Sequence, residues 1–200
     1  MGFIGRIHTS SAPSQNRREM GARDFIWLAA LGTAARGPAG LEDICAAIDA
    51  ITLGQWLPVG DLVTASVAEM VRGGHLQTMP GKATPGETGP GEADSLRLTM
   101  RGREILMLLL AQPLARPSSV FGQVGLRLKL AFLDLAPAVE RLRHLEALMT
   151  QYQDELTCRA AGQECAALGR FGAAWRHHDA ERLRGDLALL ERLAATSATP

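Results

Sequence analysis

The segment from Leu96 to Leu110 constrains the fold most, because it combines a short strand with a helix that follows at once. Leu96 and Leu98 alternate with Arg97, which is the pattern of a half-buried strand. Thr99 comes next and is a residue type that caps helix N-termini, and the apolar residues after it recur at helical spacing. The segment therefore predicts a small sheet whose last strand leads directly into a capped helix.

Three amphipathic segments precede this junction. Apolar residues at helical spacing predict helices that begin near Met20, at Leu41 and at Asp61, with Gly- or Pro-containing turns between them. Residues 75–78 follow the third helix and predict a strand, whereas residues 80–94 hold too many glycines and prolines for regular structure. Three helices followed by two strands across a long tip is the order of a winged helix-turn-helix, in which the third helix enters the major groove of DNA.

Two segments resemble PadR-type winged-helix transcriptional regulators. Residues 98–103 read Leu-Thr-Met-Arg-Gly-Arg and are similar to the family's "L-T-x-x-G-R" segment, and residues 125–133 resemble its apolar helix centred on a lysine, here Lys129. The resemblance covers residues 22–195 as an order of elements. It implies a mainly α fold, with a winged helix-turn-helix domain, a small two-stranded wing and a C-terminal helical arm that joins two subunits in a cytoplasmic homodimer.

Composition predicts three regions along the chain. Residues 1–19 are polar and basic without an apolar period, which is typical of a flexible tail. Residues 20–112 form the predicted winged helix-turn-helix DNA-binding domain. Residues 113–200 form the predicted C-terminal helical dimerisation domain, with one helix after Pro137 and a last helix from around Asp179.

The third helix departs from the signature of the family it resembles. Residues 59–67 take the place of "S-P-G-T-L-Y-P-A-L", with Thr64 for the tyrosine and Ala65 for the second proline. Thr64 and Ser66 carry hydroxyls that can hydrogen-bond phosphates or base edges. Cations from the third helix, the wing tip and the wing strand can neutralise phosphates. The predicted DNA-binding residues are Gly60, Thr64, Ser66, Arg72, Lys82 and Arg97.

Charge leaves two functions open. Residues 20–112 contain seven lysines and arginines against ten aspartates and glutamates, a net charge of about −3, whereas most DNA-binding modules are basic. The favoured interpretation is a dimeric DNA-binding regulator, a repressor, that places two recognition helices on a palindromic operator. The alternative is a repurposed winged helix that no longer binds DNA and binds a protein partner through its acidic face.

Leucine-rich spacing in the C-terminal region predicts a two-fold interface. Apolar residues after Pro137 step by three and four residues, and the last helix repeats the pattern. Two short amphipathic helices are not expected to bury both apolar seams within one chain. The predicted dimerisation residues are Leu142, Leu145, Met149, Tyr152, Leu156, Leu187 and Leu190.

Other chemistry is not indicated by the sequence. The cysteines number three and lack the spacing of a zinc site, and the adjacent His177 and His178 point in different directions on a helix, so neither a metal nor another cofactor is expected. Neither a nucleophile elbow nor a phosphate-cradling glycine loop occurs, which argues against an enzyme. A leader peptide and a membrane span are not indicated either, and these features together predict a cytoplasmic protein.

Overall fold

The computed structural model describes residues 18–80, 95–161 and 169–198. These residues form helices almost throughout, with one small antiparallel sheet. The elements are α1 (Ala22–Arg36), α2 (Leu41–Thr52), α3 (Gly60–Arg72), β1 (Leu76–Met79), β2 (Ser95–Leu98), α4 (Met100–Ala111), α5 (Val120–Phe132), a 3-10 turn (Leu133–Leu135), α6 (Ala138–Ala161) and α7 (Arg170–Ala198). This order confirms the predicted mainly α, winged-helix architecture.

Helix α1 is the centre of the N-terminal core. It contacts α2, α3, α4 and α5, and its buried residues surround the helix instead of forming one stripe. At Gly32 a Cβ atom would lie 2.4 Å from the Phe132 ring, so only glycine allows α1 and α5 to approach this closely. Because α5 packs on the first two helices, the core runs across the domain boundary that the sequence predicts at residue 112.

The wing is a two-stranded sheet with a short addition from the loop between α1 and α2. Leu76 of β1 lies opposite Leu98 of β2. Ala39 forms an isolated bridge to Leu96, with N–O distances of 3.0 and 2.8 Å. The tip of the wing, including Lys82, lies outside the described residues, as do residues 1–17 of the predicted tail.

Thr99 fixes the start of α4 against the end of α3. Its hydroxyl accepts a hydrogen bond from the amide of Gly102 at 3.0 Å and lies 2.7 Å and 3.0 Å from the carbonyl oxygens of Gly74 and His75, to which it can donate. A Cβ atom on Gly102 would lie 2.1 Å from the His75 carbonyl oxygen, so this position requires glycine. The threonine and the glycine of the "L-T-x-x-G-R" segment therefore join the wing to the recognition helix.

Lys129 fixes the other end of α4. The residue is 2% exposed, and its ammonium group donates hydrogen bonds to the carbonyl oxygens of Leu109, Leu110 and Gln112, at 3.3, 2.5 and 2.5 Å. The last carbonyls of a helix have no partner within the helix, and Lys129 supplies one. Burial lowers the pKa of Lys129 to about 7.

The C-terminal helices α6 and α7 pack along each other within one chain. Leu145, Tyr152 and Leu190, which the sequence predicts at a two-fold interface, are fully buried there within one chain and leave little surface for a second subunit. The helices are longer than expected, at 24 and 29 residues, and α7 begins at Arg170 rather than near Asp179. Helices of this length cover most of each other's apolar seam.

The remaining predicted dimerisation residues lie at the margin of the same interface. Met149, Leu156 and Leu187 are partly buried against the core of their own chain. Leu142 is also half-buried, and it does not belong to that packed set. The predicted seam is therefore mainly an intrachain contact, and a contact between subunits needs another surface.

Candidate nucleic-acid interface

Helix α3 has one buried side and one exposed side. Val63, Ser66, Val67 and Met70 are buried, at the three- and four-residue spacing of a helix face that packs on a core. The residues between them form the opposite side, which we call the α3 outer face. It consists of Asp61, Leu62, Thr64, Ala65, Ala68 and Arg72, all of them exposed. A recognition helix needs such a free side to enter a groove.

Of the residues of α3 predicted to bind DNA, Gly60 and Thr64 lie at the surface, whereas Ser66 is buried. Gly60 is the first residue of α3, and no atom would lie within 4 Å of a Cβ placed on it. The Thr64 hydroxyl donates to the Gly60 carbonyl oxygen at 3.0 Å. Ser66, also predicted to contact DNA, is only 6% exposed and lies on the core side of α3, away from the α3 outer face. Each helical residue turns by about 100°, and this rotation carries Ser66 to the buried side.

The predicted cations Arg72 and Arg97 are exposed and have no carboxylate partner among the described residues. The only hydrogen bond from the Arg72 side chain within this part of the chain goes to the carbonyl oxygen of Ala68, at 3.4 Å. Arg23, in contrast, is ion-paired with Glu69. Arg72, at the end of the α3 outer face, and Arg97, on the wing strand, are thus free of ion pairs within the described residues and can bind anions.

Arg103 is a further cation that sequence reasoning missed. It lines a cleft of about 590 Å³ together with Arg36 and Arg97, between the end of α1, β2 and the start of α4. Arg36 is paired with Asp134 at 2.8 Å, whereas no carboxylate in the described part of the chain pairs with Arg103. Arg103 is the arginine of the "L-T-x-x-G-R" segment, and that segment served only to predict the fold.

A comparison with known protein families shows to which class of protein this chain belongs. Residues 17–194 match the family described as "Putative AphA-like transcriptional regulator". The chain belongs to this AphA-like family. The match confirms the regulator predicted from the sequence and favours it over the alternative of a protein-binding module. The chain has no match among curated protein sequences.

Solved structures similar to this AphA-like chain include Bacillus subtilis PadR in two states. PadR in complex with operator DNA has 18% sequence identity and a TM-score of 0.39, with 86% of this chain and 98% of that chain covered. PadR in complex with p-coumaric acid has 14% identity and a TM-score of 0.38, with 90% and 99% covered.

The leading end of α3 differs from the sequence-based expectation. The spacing of apolar residues predicts that Leu62 faces inward, yet it is 48% exposed on the AphA-like fold. Leu57 and Val59, just before the helix, are exposed as well. Asp61 stands among these apolar residues and forms no hydrogen bond or ion pair with the described residues. An unpartnered carboxylate and free apolar side chains therefore lie where a recognition helix contacts base edges.

The described residues contain neither a membrane span nor a metal cluster. Each of their helices is too short or too polar to cross a membrane. Across the same ranges, no three histidine, cysteine, aspartate or glutamate side chains come together in a group that could hold a metal ion.

Proposed function

We propose that this AphA-like regulator binds double-stranded DNA as a homodimer and represses transcription from a palindromic operator. In this proposal α3 of each subunit enters a major groove and the wing contacts the flanking backbone. The observation that carries it is the exposed α3 outer face, with Arg72 at its end and Arg97 on the wing strand, neither of which has an ion pair within the described part of the chain. The proposed activity needs neither a catalytic group nor a cofactor, and places the protein in the cytoplasm with its DNA.

The negative net charge of residues 20–112 is compatible with this proposal because some of the carboxylates already have partners within the domain. Glu69 is held by Arg23, and Asp43 accepts a hydrogen bond from the Gly40 amide at 2.8 Å as the cap of α2. Arg97 and Arg103 have no such partner among the described residues. Phosphate neutralisation depends on the cations that reach the backbone, not on the domain total. A few arginines must then supply most of the electrostatic affinity.

The test is a salt titration of binding to a labelled duplex from the region upstream of the protein's own gene. Arg97→Ala should weaken binding to all sequences alike and reduce the slope of log affinity against log salt by about one unit. The matched control is Arg192→Ala, which removes an exposed arginine from α7, far along the chain from the wing. Equal salt slopes for the two variants would contradict the role of the wing strand.

The proposed homodimer requires a surface other than the seam between α6 and α7. Phe171 and Trp175 are 77% and 66% exposed on α7, and Leu189 is exposed on the same side of that helix at a multiple of the helical repeat. Exposed aromatic residues that share one face are typical of protein interfaces. A second copy of the chain is the occupant that the proposal needs, because a palindromic operator requires two recognition helices.

Light scattering of Trp175→Glu tests this surface. A charge at the centre of an apolar contact should convert the dimer to a monomer at tens of micromolar, roughly the range that populates an ordinary dimer. Ala173→Glu is the matched control, because it adds the same charge to an exposed position on nearly the opposite side of α7. A monomeric wild type, or dissociation by both variants, would contradict the proposed interface.

A further inference from the structure

We infer that the α3 outer face reads its operator through a carboxylate and methyl contacts, with Asp61 accepting a hydrogen bond from the N4 amino group of a cytosine and Leu62 packing on the C5 methyl of a neighbouring thymine. This inference rests on the proposed DNA binding and names the residues that give it base specificity. Neither the sequence pattern nor the family match assigns such a role to Asp61 or Leu62.

The first turns of the α3 outer face carry no other side chain that commonly reads bases. Arg, Lys, Asn and Gln are the side chains that most often make paired hydrogen bonds to purines, and α3 has none of them before Arg72 in its last turn. Ser66 is buried, and the Thr64 hydroxyl hydrogen is committed to the Gly60 carbonyl oxygen. Asp61 is therefore the strong hydrogen-bonding side chain left in the first turns of the helix.

Asp61 has both the position and the free carboxylate that a base contact requires. It lies in the first turn of α3, and the N-terminal residues of a recognition helix are the ones that contact base edges. Its carboxylate has no partner in the described residues and does not cap the helix, since the N-cap is Val59. A carboxylate only accepts hydrogen bonds, and the cytosine N4 group is the donor that Asp and Glu recognise in the major groove.

An apolar surface lies beside Asp61 on the α3 outer face. Leu62 is half-exposed, and Ala65 and Ala68 follow on the same face with side chains of one carbon. Short side chains let the helix approach the groove floor, and apolar side chains discriminate thymine through its C5 methyl. The expected half-site therefore contains a cytosine beside at least one thymine on the strand that α3 contacts.

The experiment selects binding sites from a randomised duplex pool with the wild type, Asp61→Asn and Leu62→Ala. Asparagine pairs with adenine through N6 and N7, so Asp61→Asn should change the preferred base at one position from cytosine to adenine, by roughly ten-fold or more. Deoxyuridine lacks the C5 methyl of thymine. Its substitution at the thymine position should weaken wild-type binding several-fold and leave Leu62→Ala unaffected. Glu104→Gln, which removes a different exposed negative charge on α4, should leave every preference unchanged.

The outcomes separate the inference from the proposed function. If Asp61 only repels phosphates, Asp61→Asn will bind all duplexes more tightly with the base preferences of the wild type, and the inference is overturned while DNA binding stands. Unchanged preferences in both α3 variants would have the same consequence. If the folded wild type selects no duplex at all, DNA binding itself fails, and the inference fails with it.

Discussion

The buried Lys129 gives the most quantitative test of the fold, through the variant Lys129→Met. Its amine makes three hydrogen bonds to carbonyl oxygens at the end of α4, and no carboxylate accompanies it among the described residues. Burial disfavours the charged form and lowers the pKa from 10.5 to about 7. Methionine has a similar length and no charge, so the variant removes the titration and keeps most of the volume.

The direction of the pH effect on stability follows from the protonation of Lys129 in the folded and in the unfolded chain. Between pH 7 and 10.5 the unfolded chain holds a proton on Lys129 that the folded chain has released. Folded wild type is therefore favoured as the pH rises through this range, and the penalty of burying the charge is complete only below pH 7. The limiting slope is about 1.4 kcal/mol per pH unit. From pH 7.5 to pH 9, wild type should gain about 2 kcal/mol over Lys129→Met.

Urea unfolding of both proteins at several pH values measures this difference, and the titrating groups that do not interact with Lys129 cancel in the comparison. Arg127→Met on the same helix is the control, because a guanidinium remains charged throughout this range. Burial, followed by the Lys129 charge, lowers the pKa of His144, which Glu140 partly opposes, so Lys129→Met should also raise the His144 pKa in an NMR titration. A stability difference that is flat from pH 7.5 to pH 9 would refute the lowered pKa and show that the three carbonyls hold the charge.

Two other substitutions test the recognition helix and its attachment. Gly60→Ala should stabilise the fold by about 0.5–1 kcal/mol, since the position is open and helical. The added methyl group should weaken DNA binding, because the operator approaches the start of α3 closely in the proposed complex. Thermal unfolding measures the gain in stability and fluorescence anisotropy the loss of affinity, and an unchanged affinity would argue against close approach. Thr99→Ala should lower the free energy of unfolding by about 0.5–2 kcal/mol because it removes the cap of α4, whereas Thr99→Ser should keep most of that stability. Urea unfolding measures both variants, and an unchanged stability of the alanine variant would contradict the role of the cap.

The elements of the fold could be predicted because their signals are local. The apolar spacing of α1 to α4 and the threonine cap before Met100 lie within a few residues of the structures they determine. The capping role of Lys129 had a sequence signal in the lysine-centred apolar helix. Its three acceptors, however, lie 17 to 20 residues earlier in the chain, and only the folded structure brings them to it.

The candidate site was harder to predict because burial on α3 depends on position along the helix as well as on its periodicity. Leu62 and Ser66 are four residues apart and lie on nearly the same side of α3, yet Ser66 is buried and Leu62, in the first turn, is exposed. The local pattern shows which residues share a face and does not show how far along the helix the core extends. The seam of Leu145 and Tyr152 was predicted as a stripe, but a stripe does not say whether its partner is in the same chain. That choice depended on the length of α7, whose first turns carry no cap signal in the sequence.

The most direct test of the central claim is binding to DNA at low salt. Fluorescence anisotropy with a pool of genomic fragments at ~50 mM salt measures phosphate attraction where it is strongest. We expect saturable binding that weakens steeply as salt rises, with Arg72 and Arg97 both contributing to the slope. A folded, dimeric protein that binds no fragment under these conditions would refute the proposed DNA binding.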